Sequence, residues 1–132
     1  MKTVAENEYY LLAVDQFRNR IYFTIIGYWR SRAVVPKYLE DMKRTTREMS
    51  KGFTILTDLT KIKAPPTEVS SLHTEAQKIL VAAGLSRTVE VIGRDAITKL
   101  SVDRISRESG MLKGTFSDWK EAEDWLDKPS PR

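Results

Sequence analysis

The chain has 132 residues, 22 basic and 18 acidic side chains, one histidine and no cysteine, which fits a single domain large enough to bury a core. The missing cysteines exclude disulfides, thiolate nucleophiles and cysteine-bound zinc, and they accord with a reducing, cytoplasmic setting. The first eight residues lack the apolar core of a signal peptide, and no run approaches the roughly 20 apolar residues that span a bilayer.

Glu8 to Asp15 and Ile21 to Trp29 are rich in aromatic and β-branched residues and short for helices, so both read as strands. The polar link between them has hairpin length and predicts antiparallel pairing, with Gly27 marking a bulge. The hairpin and the aromatics crowded into the first 30 residues suggest an open sheet edge and self-association as a homodimer. Tyr28 and Trp29 beside Arg30 and Arg32 form the one aromatic and basic cluster, able to cover the sheet edge or to meet a partner or ligand.

Pro36 suits the first turn of a helix, after which Tyr38, Leu39, Met42, Thr46 and Met49 follow at three- and four-residue steps as far as Gly52. This helix carries much of the positive excess, since residues 1–52 hold ten basic and six acidic side chains. Glu40, Asp41 and Glu48 interrupt the basic cluster, which favours a solvated face over nucleic-acid binding.

Phe53 to Thr60 is a nearly continuous β-branched and apolar run between two amphipathic helical patterns, as expected of a central strand buried on both faces. Asp58 lies toward its end, where open α/β sheets place working groups. As a carboxylate there it is a candidate base, but more often such a group accepts hydrogen bonds from a turn. Pro65 and Pro66 then disfavour helix before them and make Thr67 the natural N-cap of the next helix, its hydroxyl accepting from the Ser70 N–H. That helix carries Val69, Leu72, Ala76, Ile79, Leu80 and Ala83 on one stripe and stops at Gly84. His73 lies beside the stripe with no second histidine anywhere, which argues for an edge-of-core or exposed histidine and against a metal site.

Thr88 to Gly93 reads as a fourth strand, Asp95 to Gly110 as a further helix, and Lys113 to Phe116 as a short fifth strand. Ser117 or Asp118 then caps a last helix with Ala122, Trp125 and Leu126 facing inward, and residues 128–132 form a tail with nothing to bury. Six scattered glycines build neither a dinucleotide fingerprint nor a phosphate loop, so no cofactor is expected. The elements predict an α/β domain: a mixed five-stranded sheet, with an N-terminal hairpin followed by βαβ crossovers, covered by about four helices. Strand order is open.

This order, with the strand Thr57-Asp58-Leu59-Thr60 turning into a helix, resembles the STAS domain of anti-sigma-factor antagonists and sulfate-transporter tails over roughly residues 8–127. Phe116, Glu121-Ala122 and Trp125-Leu126 are similar to the carboxyl-terminal signature of small stand-alone bacterial proteins of that superfamily, whose fold is shared by lipid-carrying CRAL-TRIO domains. The resemblance implies a non-catalytic module that binds a protein partner through the turn after the central strand, with Asp58, Thr67, Ser70 and Ser71 as candidates. Thr67 falls where the antagonists carry a phosphorylated serine. The rest of their Asp-Ser-Ser-Gly motif is absent here, which argues against a kinase switch. The lipid-carrying relatives imply a second possibility, a small apolar ligand held between helices and sheet.

Overall fold

The structure, a computed structural model, describes residues 1–63, 66–93 and 112–128. Six strands form one sheet in sequential order: β1 (Lys2–Glu6), β2 (Tyr10–Asp15), β3 (Arg20–Gly27), β4 (Thr54–Ile62), β5 (Arg87–Val91) and β6 (Leu112–Phe116). β2 runs antiparallel to its neighbours β1 and β3, and β3 through β6 run parallel. Among the described residues three α-helices accompany them: α1 (Tyr38–Thr46), α2 (Thr67–Ala82) and α3 (Trp119–Asp127), with a short 3-10 turn at Arg32–Val34. The helix expected between Asp95 and Gly110 lies outside the described residues.

β4 is the central strand, flanked by β3 and β5, and five of its first residues are buried. The sheet has one strand more than the sequence suggests, because β1 pairs with β2 and takes the edge. Lys2–Glu6 is polar and largely exposed, so no alternation betrays it; an edge strand buries little and needs no apolar side. The hairpin of β2 and β3 is thereby enclosed on both sides, and the free edge of the sheet at this end is β1. Tyr10, Tyr22, Phe23 and Trp29 go inside, whereas Phe17 in the hairpin turn and Tyr28 are exposed.

Side chains alternate across the sheet and separate two cores. One face carries Tyr10, Leu12, Val14, Ile21, Phe23, Ile25 and Ile55 against Tyr38 and Met42 of α1 and Val69, Leu72, Ala76 and Leu80 of α2. The other carries Ala13, Tyr22, Leu56, Val89 and Val91 against Ala122 and Leu126 of α3. Helices α1 and α2 share a face because the chain moves through β3, β4 and β5 in one direction, and crossovers of one hand then fall on one side.

Helix α1 ends at Thr46, short of Gly52. Thr45 and Thr46 turn their hydroxyls back onto the carbonyls of Asp41 and Lys43, an alternative to helical propagation that threonine offers readily. Helix α2 closes as the sequence predicts. Gly84 takes φ +108°, its N–H donates to the Val81 carbonyl, and the Leu85 N–H donates to the Leu80 carbonyl, the two bonds of a Schellman motif. Asp118 caps α3 by accepting from the Glu121 N–H at 3.1 Å.

Gly84 is doubly constrained, since a Cβ there would lie 2.7 Å from Cγ of Lys51 and 3.0 Å from its Cα. Gly84→Ala combines that clash with a left-handed backbone and should destabilise the fold by about 1–3 kcal/mol. Urea denaturation with an unchanged m-value would measure it, and a stability equal to that of the parent would contradict the role given to Gly84.

Candidate functional site

Asp58 lies in β4 where the strand carries one extra residue. Thr24 pairs with Asp58, but Ile26 pairs with Lys61, so β4 bulges just beyond Asp58. The Asp58 carboxylate accepts from the Thr60 N–H at 2.8 Å, from the Thr60 hydroxyl at 2.6 Å and from the Trp119 indole N–H at 2.9 Å. Burial pushes this carboxyl up, yet the bonds from Thr60 and Trp119 outweigh it and hold the group below its ordinary value. A carboxylate so held organises a bulge and docks Trp119, which itself stacks on Tyr22 with ring centroids 5.8 Å apart. Of the two roles the sequence left open for Asp58, the geometry fits the hydrogen-bond acceptor.

Thr67 does not cap α2. Pro66 is the N-cap residue, Thr67 is the first helical residue, and the Ser70 N–H donates to the Pro66 carbonyl at 3.1 Å. Proline's fixed, extended backbone already presents its carbonyl to the helix start, so the hydroxyl has no task there. Thr67, Ser70 and Ser71 are exposed, and the Ser71 hydroxyl donates to the Thr67 carbonyl at 3.3 Å. They belong to the helix covering one face of the sheet, whereas Asp58 bonds to Trp119 of α3 on the other. The sheet divides this candidate set.

The aromatic and basic cluster is divided as well. Tyr28 and Arg30 are exposed, but Trp29 turns inward to 2% exposure and donates its indole N–H to the Tyr9 carbonyl at 3.0 Å. Its ring packs on Tyr10, Tyr38 and His73 with centroids 5.8, 5.0 and 4.9 Å away. Arg32 pairs with Glu75 of α2 at 2.9 Å, and its N–H donates to Glu68. On α1, Arg44 binds Asp41 and the Val4 carbonyl, which ties part of the basic surface to the edge strand.

A cavity lies where neither set pointed, between the sheet and helices α1 and α2. It encloses about 530 Å³, within the range of small-ligand sites. Its floor crosses three strands: Phe23 and Ile25 of β3, Ile55 and Thr57 of β4, then Thr88 and Glu90 of β5. Register places Thr57 opposite Glu90 and Ile55 opposite Thr88. His73, Ala76, Gln77 and Leu80 of α2 form the roof, and Tyr38 and Met42 of α1 close one end. The sequence signal for this floor is slight: Thr57, one of three threonines in the run from Phe53 to Thr60, and polar residues alternating with Val89 and Val91 in β5.

His73 stands in the cavity wall as the edge-of-core histidine that the sequence suggests. Its Nδ1 lies 3.1 Å from the Tyr38 hydroxyl, and its Nε2 is sealed without a partner among the described residues. The Tyr38 hydroxyl and Nδ1 share that hydrogen bond, and either group can be its donor according to the tautomer of the ring. Burial lowers the His73 pKa to about 4 from the model-peptide 6.5. Among the described residues no group of three histidine, aspartate or glutamate side chains could hold a metal ion, and no helix is long and apolar enough to cross a membrane.

No family model matches the sequence, and no curated protein matches it at a significant level. Four chains of solved structures match it by fold. One is an uncharacterized protein of the DUF3478 family with a SpoIIAA-like fold from Shewanella loihica PV-4, which aligns over 92% of this chain and 97% of its own with a TM-score of 0.67. The chain therefore has a SpoIIAA-like, STAS-like fold. Sequence identity is 10%, so the likeness extends to the fold alone.

The pH dependence of stability tests the description of His73. Its folded pKa is depressed, so the unfolded chain takes the proton first. Its contribution is complete above about pH 6.5 and drains as pH falls toward 4. The loss should be on the order of 2–3 kcal/mol, whereas Asp58 and Asp127, whose pKa values are also lowered, act at more acid pH. In His73→Gln, which keeps an acceptor for Tyr38, the slope between those two pH values should flatten. An unchanged slope would refute the buried, neutral histidine.

Proposed function

We propose that this protein is a non-catalytic binding module of the cytoplasm whose ligand is a small, largely apolar molecule held between α2 and the sheet. The observation that carries this reading is the cavity of about 530 Å³, walled by aromatic and aliphatic side chains with a few polar groups on its floor and roof. A well-filled core leaves few voids larger than water, so an opening of this volume under two helices calls for an occupant. Catalysis is not invoked: Asp58 is committed to Thr60 and Trp119, and His73 is committed to Tyr38 at its only paired nitrogen.

Phenylnaphthylamine, a neutral dye that brightens in apolar surroundings, should bind and be displaced by the natural ligand. Ala76→Leu fills the cavity from the roof and should weaken dye binding at least tenfold. The open space absorbs the added methyl groups, so stability should stay within about 1 kcal/mol of the parent. Native mass spectrometry of protein isolated from cells gives an independent check through a retained mass. Dye binding undiminished by Ala76→Leu would remove this cavity as the site.

A second reading, regulation of a protein partner at the start of α2, draws on the exposed Thr67, whose hydroxyl makes no cap. In that position Thr67→Ala should change stability by less than about 0.5 kcal/mol. Thr67→Asp should preserve or slightly raise it, because negative charge is favoured at a helix N-terminus. Phosphorylation at Thr67 in protein recovered from its own cells would support this reading. An unmodified Thr67, together with partner binding indifferent to Thr67→Asp, would end it.

A further inference from the structure

The cavity floor is not uniform, and its gradient specifies the ligand more closely. On β3 the floor is Phe23 and Ile25, on β4 it changes from Ile55 to Thr57, and on β5 it is Thr88 and Glu90. The cavity thus runs from aromatic and aliphatic to polar across two strand spacings, about 10 Å. Thr57 and Thr88 are buried at 9% and 8% exposure, but their remaining surface faces the cavity. Neither hydroxyl has a hydrogen-bond partner among the described residues, and neither is among the polar atoms sealed from contact. Valine would be the ordinary residue at such buried strand positions. Two neighbouring strands instead present hydroxyls to one space, where each leaves unmet bonding capacity.

We infer that the ligand is amphipathic, with a neutral hydroxyl-type head bound by the Thr57 and Thr88 hydroxyls and an aromatic or aliphatic body lying over Ile55 toward Phe23 and Ile25. This deepens the proposed ligand-binding function and rests on it. A neutral head suits the two hydroxyls, which both donate and accept, and it brings no further charge beside Glu90, which lines the same end of the floor opposite Thr57. The 10 Å between polar and apolar ends suits a body about two fused rings long. Discrimination follows from the same geometry: an analogue with a methyl group in place of the head would leave both threonines unpaired, whereas loss of a methyl elsewhere costs far less.

Naphthol and methylnaphthalene make the test, since they differ only in a hydroxyl against a methyl of similar size. Affinities of both would be measured by fluorescence for the full chain and for Thr57→Val/Thr88→Val. Valine keeps the β-branched shape, and circular dichroism would verify folding; single Thr88→Val serves if the double variant does not fold. The parent should prefer naphthol, and the valine variant should lose about tenfold of that preference while binding methylnaphthalene as well as or better than the parent. A preference unchanged by the valines would place the polar end elsewhere, against Gln77 or Thr74, and overturn the inference while leaving the cavity as a binding site. Failure of both compounds to bind the parent would overturn the binding function itself and the inference with it.

Discussion

Two guanidinium groups hold the second face of the sheet together. Arg20 opens β3 and Arg87 opens β5, and register sets them on either side of Thr54 in one row across the sheet. Both are almost fully buried, at 3% and 5% exposure, and both reach α3. Arg20 donates to Thr54 at 3.0 Å, to Asp127 at 2.9 Å and to Glu123, which also accepts from the Tyr22 hydroxyl at 2.9 Å. Arg87 donates to the carbonyls of Trp125, Leu126 and Lys128 at the end of α3, with the Trp125 ring 5.1 Å away. Buried charge is tolerated only when paired. Here the carboxylates of α3 pair with one arginine, and its C-terminal carbonyls, the negative end of its dipole, accept from both terminal nitrogens of the other, whose Nε is buried without a partner among the described residues. Removing α3 would strand two cations on an apolar sheet, so the helix and the arginines require each other.

The opposite face is held by aromatic packing. Tyr10, Trp29 and Tyr38 meet with ring centroids 5.0 to 5.8 Å apart, and the Tyr10 hydroxyl donates to Asp41 at 2.5 Å. This fills the region above β2 and β3 with large rings. Farther across, β5 offers Thr88 and Glu90, and α2 opposes them with Ala76, Gln77 and Leu80. Small and polar side chains do not reach as far as rings, so the space left over is the cavity. The same sheet is thus tightly packed on one flank and open on the next. The cavity lies apart from the strand end and helix N-terminus that carry Asp58 and Thr67, and between helices and sheet, where the sequence also allowed a small apolar ligand.

Much of the fold was legible because its signals are local. The β-branched run of β4, the apolar stripe of α2, the stop at Gly84 and the cap at Asp118 each depend on residues within a turn or two of one another. The errors are local in another sense. Thr67 was preferred as a cap by residue type, but Pro66 already supplied the geometry, and helix α1 ended early because two threonines turned back on their own backbone. Strand β1 went unseen because an edge strand can be short and mostly polar, and only Val4 and Ala5 of this one pack on the core.

The candidate site was hardly legible, for a different reason. Asp58 and Thr67 are nine positions apart in the chain, yet the sheet stands between their side chains, since Asp58 reaches Trp119 while Thr67 begins the helix over the other face. Trp29 stands next to Tyr28 in sequence and next to His73 in space. By itself the sequence determined which segments are strands and helices, where most of them stop, and that β4 is central, because backbone preference and apolar period act over short distances. Only the tertiary structure decided the strand order, the pairing of Arg20 and Arg87 with a helix near the other end of the chain, and the hydroxyls of Thr57 and Thr88 facing one space. Burial and hydrogen-bond partners are properties of neighbours in space, and those neighbours come from strands whose register no local pattern encodes.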